Sequence, residues 1–398
     1  MNGATSQVRN TFLLRLLPVV AAPFLLLGIV GLSRSRLEAP EPTVLVRDRN
    51  GAFLFKSDGE ALGYWPVAPI PPRVAAATAA IEDRRFGRHP GVDPVAVLRA
   101  IRQNLAAGRR ISGASTLAMQ VARLQHPGPR TMFRKIGEAA AALAMTLRNG
   151  RPAVMAQYLR IAPYGNRIHG IGYAARKYLD KPVEDLSWAE IAFLSALPQA
   201  PSRMNPYRYE GRRRAISRGQ RILTLLRDRG TLTTAEYELA ADQLRGVRPP
   251  LRDERPATAL HAIVRLERTI YQAHGHEPLR QPLVRAWLDL KLQKETSWML
   301  LSKIDELAGR GVGNGAAVVI ERDGNKVIAY VGSSDYLDVS RAGAIDFAAS
   351  PRSAGSTLKP FIYALALDNG VISAATMLED MRRGAGGISN ADERYLGP

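Results

Sequence analysis

Read for its alternation of apolar and polar positions, the chain divides into three regimes. From Leu16 to Leu32 (LLPVVAAPFLLLGIVGL) no charged side chain interrupts the apolar run. Extended across Arg15 to Phe12, the run approaches the roughly 20 residues that span a bilayer. It exceeds a signal-peptide core and ends in GLSRSR without a small-residue exit, so the pattern predicts an uncleaved transmembrane anchor over 12–33 behind a short tail, 1–11. Arg9 and Arg15 on one side nearly balance Arg34 and Arg36 on the other, so charge alone leaves the orientation open. Residues 34–70 read as a linker, with the stiff spacer EAPEP followed by the alternating TVLVRDRNGAFLF, whose Asn50-Gly51 marks a hairpin.

From 71 to 230 the apolar positions recur at helical spacing, as in VAAATAAIED, DPVAVLRAIRQNLAAG and SWAEIAFLSALPQAP, with Asp93 as a cap before Pro94. This predicts a mostly helical domain. Residues 231–290 mix one helix, TTAEYELAADQLRGV, with proline-rich breaks and read as a linker region. From 291 to 398 the period changes: GAAVVIERDGNKVIAYVGSS reads as two strands turning at Asp323-Gly324-Asn325, and PRSAGSTLKPFIYALALDNG reads as a loop entering a helix. Residues 380–398 have no period and predict a frayed tail.

Composition adds two constraints. Fifty-five Lys and Arg against 36 Asp and Glu give a net charge of +19, which calls for a polyanionic surface or ligand: nucleic acid, an anionic membrane or a phosphorylated substrate. There is no zinc-finger spacing and no RNP-like aromatic block, and an anchored basic domain is held away from the genome, so nucleic acid is set aside. The absence of cysteine excludes disulfides and thiolate metal sites. The one close histidine pair, His274 and His276, lacks the carboxylate-bearing helix of a metal hydrolase, so no metal ligands are assigned.

Three polar clusters could carry chemistry. In IEDRRFGRHPGVDP, Glu82 and Asp83 end an alanine-rich helix, a pattern that by itself most often marks a solvated terminus. In ISGASTLAMQVARL, Ser115 and Thr116 enter a helix carrying Gln120 and Arg123; free N–H groups, hydroxyls and an arginine suit an oxyanion, although such a start is commonly only a cap. In PRTMFRKIGEAAAALAM, Arg134 and Glu138 are i,i+4 partners, and Arg130 and Lys135 remain as spare cations.

Taken in order and at these intervals, EDRRFGRHPGVD, GASTLAMQ, RKIGE and GYAARKYLDKP resemble the signature blocks of family 51 peptidoglycan glycosyltransferases, the module of class A penicillin-binding proteins. MQVARL, APYGN and LPQAPSRMNP resemble the 1C branch of that family. The resemblance runs over roughly residues 40–379 and implies a mostly α fold: a lysozyme-like glycosyltransferase domain behind a transmembrane helix, then an incomplete α+β transpeptidase domain. It implies lipid II as substrate, a growing glycan strand as product, and a single-pass protein of the bacterial inner membrane with its catalytic domain on the periplasmic side. By position, Glu82 matches the base that takes the proton from the acceptor 4-hydroxyl, and Glu138 matches the second glutamate near the donor diphosphate. Asp83, Ser115, Thr116, Gln120, Arg123, Arg130, Arg134 and Lys135 fall on motif positions that line or brace the site. A diphosphate leaving group needs cations rather than a strong acid, and a hydroxyl nucleophile needs one positioned carboxylate. No cofactor is required by the sequence, and the family leaves room for a divalent cation at the diphosphate. Three positions depart from the pattern: Ala114 for glycine, Met119 for glutamine and Arg160 for asparagine. The alternative reading is a catalytically inactive, membrane-tethered cell-wall interaction protein.

Ser356 and Lys359 stand three apart in PRSAGSTLKPFIY and resemble the nucleophile motif of a penicillin-binding transpeptidase. Such a site also uses Ser-x-Asn and Lys-Thr/Ser-Gly elements. Neither follows Lys359 within these 398 residues, so the expectation is a transpeptidase half that does not turn over.

Overall fold

The computed structural model describes residues 25–57, 62–109, 113–249, 255–274 and 282–378. The tail at 1–11, the first part of the expected anchor at 12–24 and the tail at 380–398 lie outside the described residues. Helix α1 is described over residues 25–33. Among the described residues no helix is long and apolar enough to cross a membrane.

Next comes the hairpin of β1 (Leu45–Arg47) and β2 (Phe53–Lys56), which are antiparallel. Gly51 takes φ +91 at its turn, the backbone that glycine supplies without a Cβ clash. Neighbouring strand residues face opposite sides. Leu45 therefore joins the larger core while Val46 joins a second, smaller one. The other edge of β1 is taken by β6 (Leu283–Arg285), in parallel register, so residues 283–285 complete a three-stranded sheet with a hairpin more than two hundred positions earlier.

The larger core is helical. It comprises α2 (Pro72–Glu82), α3 (Pro94–Ala106), α4 (Leu117–Gln125), α5 (Met132–Ile161), α6 (Ile171–Leu179), α7 (Trp188–Ala196), α8 (Tyr209–Arg227) and α9 (Thr234–Gly246). Seven of the nine residues of α7 are buried, and α2, α8 and α9 pack around it; a helix apolar all round belongs at a centre. Its start is fixed by a capping box, with Glu190 Oε2 accepting the Ser187 N–H at 2.8 Å. The long α5 breaks at Gly150, φ +79, before Pro152. Gly31 of α1 lies 3.0 Å, measured to an ideal Cβ, from the Ala140 carbonyl oxygen of α5, so small residues let the two helices meet backbone to backbone. A small sheet of β3 (Leu62–Gly63), β4 (Pro163–Gly165) and β5 (Ile168–His169) closes one side.

In β5, His169 donates from Nδ1 to the Ile161 carbonyl at 3.2 Å and stacks on Tyr64 at 5.1 Å. Burial pulls its pKa below 6.5, partly offset by that hydrogen bond. A histidine held neutral in this way contributes stability above its ordinary pKa and loses it as pH falls through the lower folded value. The thermal midpoint of His169→Gln is therefore expected to fall less than the parent's between about pH 7 and pH 5. Equal slopes in calorimetry would show that His169 carries no such linkage.

The second core gathers Val46, Leu54 and Phe55 of the first hairpin, Ala262 and Ile263 of α10 (Leu260–His274) and Tyr330 of β8 (Lys326–Val331), which pairs with β7 (Ala317–Glu321), and α11 (Leu290–Leu307) packs beside β8. Gly324 and Asn325 supply the positive φ values of the turn between β7 and β8. The last described helix, α12 (Lys359–Asp368), buries none of its residues.

Candidate active site

The densest polar site forms where the end of α2 meets the start of α4. Glu82 is the last residue of α2 and Asp83 its C-cap. Asp83, 6% exposed, accepts the Leu117 N–H on Oδ2 and a bond from His89 Nε2 on Oδ1, each at 3.0 Å. His89 Nδ1 accepts the Gly91 N–H at 3.2 Å, which leaves the ring proton on Nε2 and makes His89 the donor to Asp83. Asp83 thus satisfies one of the orphan N–H groups at the start of α4. Thr116 satisfies another as N-cap, accepting from Met119 N at 3.2 Å while its hydroxyl donates to the Gly91 carbonyl at 2.5 Å. Gly91 sits at φ +116, where a Cβ would collide with the Ala142 carbonyl. Asp83 and Thr116, both buried, are framework. Ala114 stays out of the left-handed region, so its lack of glycine's freedom brings no strain there.

Glu82 points elsewhere. Its Oε2 accepts from Gln120 Nε2 at 3.0 Å and its Oε1 from Arg218 of α8 at 3.2 Å. The Glu82 and Arg218 side chains are each 13% exposed, so the carboxylate is held in place yet reachable. Two buried tyrosines, Tyr158 and Tyr164, have their phenols pushed up, by burial first and by the charge of Glu82 second. Arg123 and Arg218 act in the opposite sense on Tyr158, which puts Arg123 within electrostatic reach of the same spot. The Tyr158 hydroxyl is buried without a hydrogen-bond partner. Tyr158→Phe is accordingly expected to melt at or slightly above the parent, because an unsatisfied buried hydroxyl costs about 1–3 kcal/mol. A loss of more than about 1 kcal/mol on denaturation would show that the hydroxyl is bonded after all.

Glu138 lies one turn after Arg134 on α5, with Nε to Oε1 at 3.4 Å. The side chains are only 17% and 10% exposed, so this is an inward-facing pair rather than a solvated surface bridge. Any side chain at Gly128 would overlap the Arg134 guanidinium, so the loop before α5 closes over that arginine. No described contact joins Glu138 directly to Glu82. Arg123 and Lys135 are half-buried, Arg130 is exposed, and none of the three has an ion-pair partner among the described residues. Ser115 is half-buried at the mouth of α4. Arg160, in the last turn of α5, is half-buried, its guanidinium pKa pulled down by burial.

Among the described residues no three His, Asp or Glu side chains gather closely enough to hold a metal ion. Lys359 opens α12 and Ser356 lies in the 3-10 turn just before it, both exposed, with no hydrogen bond between their side chains. Neither is among the described hydrogen-bond partners of Glu82.

Sequence reasoning missed Arg218, Tyr158 and Tyr164. Arg218 sits in RRRAISRGQR among equivalent-looking cations. The one available signal is its place beside buried Gly219 and one turn after buried Ala215.

A family model described as "Transglycosylase" matches residues 51–227, and one described as "Penicillin binding protein transpeptidase domain" matches residues 315–393. Penicillin-binding protein 1C of Escherichia coli is 34% identical over 96% of this chain and 48% of its own length. Penicillin-binding protein 1F of Bacillus subtilis is 28% identical over 88% of this chain and 49% of its own. Penicillin-binding protein 1A of Aquifex aeolicus is 37% identical over 45% of this chain and 25% of its own. The chain spans about half the length of the first two. With Glu82 and Glu138 inside the transglycosylase segment and Ser356 and Lys359 inside the transpeptidase segment, the chain belongs to the class A penicillin-binding proteins and is 1C-like.

Proposed function

We propose that this protein is a peptidoglycan glycosyltransferase that polymerises lipid II into glycan strands, with Glu82 as the base on the acceptor 4-hydroxyl. The observation that carries the reading is the setting of Glu82: a nearly buried carboxylate held by Gln120 and Arg218 at the junction of three helices. Removing the hydroxyl proton as the oxygen attacks the donor anomeric carbon requires a fixed carboxylate, and these two donors set its direction. The leaving diphosphate takes up negative charge as the glycosidic bond breaks. Arg123, Arg130 and Lys135, unpaired among the described residues, are the cations available to receive it, with Arg134 oriented by Glu138. Among the described residues no three His, Asp or Glu side chains gather into a metal cage, and the step is written with this chain's own side chains.

Membrane placement follows from the same substrate, whose polyprenyl tail stays in the bilayer. Its support is the inverted amphipathicity of α3, which buries Ala96 and Ala100 while Leu98, Ile101 and Leu105 are exposed. Met132 and Phe133 at the start of α5 and Leu25, Leu26 and Ile29 on α1 are exposed as well. Apolar side chains of this size interspersed with arginine suit shallow insertion beside anionic headgroups. We assign the protein to the inner membrane, its anchor at 12–33 and its catalytic domain on the periplasmic side.

The test is incubation of the detergent-solubilised chain with labelled lipid II. Glycan strands from the parent and none from Glu82→Gln support the assignment; no strands from the parent sink it and favour a tethered protein without turnover. Ser356 takes no part in this reaction. Because Lys359 does not engage Ser356, a fluorescent penicillin is expected to leave Ser356 of this chain unlabelled, and a stoichiometric label on a gel would overturn that.

A further inference from the structure

A second cleft, of about 310 Å³, lies between the start of α10, one face of α11 and the chain leaving β8. None of the residues assigned to glycosyl transfer lines it. That volume is at the small end of ligand sites.

Its floor is built by specific contacts. Gly332 passes under His261, where a Cβ would come within 2.7 Å of the ring and of Asp346 Oδ1, so no larger residue fits. His261 Nε2 donates to the Gly343 carbonyl at 2.9 Å, and the Ser333 hydroxyl donates to the same oxygen at 2.7 Å. Those groups are satisfied. Ser334 is not: it is 3% exposed and its N–H is held by Asn314 Oδ1 at 2.8 Å, yet its buried hydroxyl has no hydrogen-bond partner. It lines the cleft, where a ligand atom could supply the missing bond.

The walls narrow the chemistry. One positive group, Lys294, and one negative group, Asp335, line the cleft, so its charge cancels in a chain of net +19. That balance disfavours a phosphate or other polyanion, which would meet Asp335 as well as Lys294. Lys294 has no ion-pair partner among the described residues. Three aromatic rings form the sides: His261 and Tyr336, with centroids 4.8 Å apart, and Trp298, which is 68% exposed. A purely apolar ligand would leave Ser334 and Lys294 unserved. A neutral sugar serves all of them: its C–H face lies on the negative face of an aromatic ring, and its hydroxyls both donate to Asp335 and accept from Lys294 and Ser334.

We propose that this cleft is a binding site for a neutral saccharide of one or two pyranose rings, held on Trp298 and hydrogen-bonded by Ser334, Asp335 and Lys294. The proposal stands apart from the role of Glu82. The test is saturation-transfer NMR on the full chain in detergent micelles, with N-acetylglucosamine and its β-1,4-linked dimer as probes. Transfer to the sugar is expected from the parent and from Glu82→Gln, and is expected to fall at least fivefold in both Trp298→Ala and Ser334→Ala. Trp298 is exposed, so Trp298→Ala carries the test if the buried Ser334→Ala fails to fold. Polymerisation of lipid II by Trp298→Ala is expected to stay at the parent level. No transfer from the parent overturns the proposal. So does transfer kept at the parent level in Trp298→Ala, which places the sugar elsewhere on the chain. Displacement of the sugar by inorganic phosphate or glycylglycine at equal concentration would show that the class of ligand is wrong.

Discussion

Glu82→Gln is expected to lower the rate of glycan-strand formation from lipid II by about 10²–10⁴-fold, the range in which a positioned general base contributes. The amide keeps the shape of the side chain and can still accept from Gln120, so the site stays assembled while the proton acceptor is lost. Arg218 loses its charged partner, and because both side chains are mostly but not wholly buried, the structural cost is expected to be only about 1–3 kcal/mol. The diagnostic result is a folded, lipid II-binding protein without turnover. If rate and thermal midpoint fell together in proportion, Glu82 would be a packing residue and the base would have to be sought elsewhere.

Asp83→Ala should do the reverse, acting on the fold before the chemistry. Removing this carboxylate leaves the Leu117 N–H and the His89 Nε2–H without an acceptor in a site where Asp83 is 6% exposed. Each orphaned buried donor costs about 1–3 kcal/mol, so a loss of roughly 2–6 kcal/mol is expected, large against the total stability of a domain. The same carboxylate fixes His89, which through Gly91 and Thr116 sets the loop that starts α4. Denaturant unfolding measures this, and a change below about 1 kcal/mol would mean that water replaces the carboxylate and that Asp83 does not anchor the loop. Together the two neighbours form a contrast: Glu82 tested by turnover, Asp83 by stability.

Residue type and spacing alone did not carry that contrast; only the motif resemblance separated the two. Glu82 and Asp83 are adjacent carboxylates in a polar run, and a one-residue offset at a helix end sends one side chain into the core and the other to the site. The i,i+4 spacing of Arg134 and Glu138 was legible, but not that the pair is inward-facing, because burial depends on the loop closing over it at Gly128. Thr116 was legible as a cap and is one; its hydroxyl is committed at both ends, to Met119 and to Gly91.

The amino-acid sequence by itself determined what depends on near neighbours: the Asp93 cap and Pro94 start of α3, the glycine turn between β1 and β2, the apolar run of α7, and the ordered motif blocks that mark the family. Only the tertiary structure decided what depends on distant segments meeting. Arg218 reaches Glu82 from 136 positions away, β6 joins β1 from the far side of the helical domain, and the cleft at Ser334 forms from three segments that share no motif. The physical reason is that helix and turn formation follow hydrogen bonds and side-chain periods a few residues long. A site is set by which buried faces pack together, and that is a property of the whole core rather than of any window along the chain.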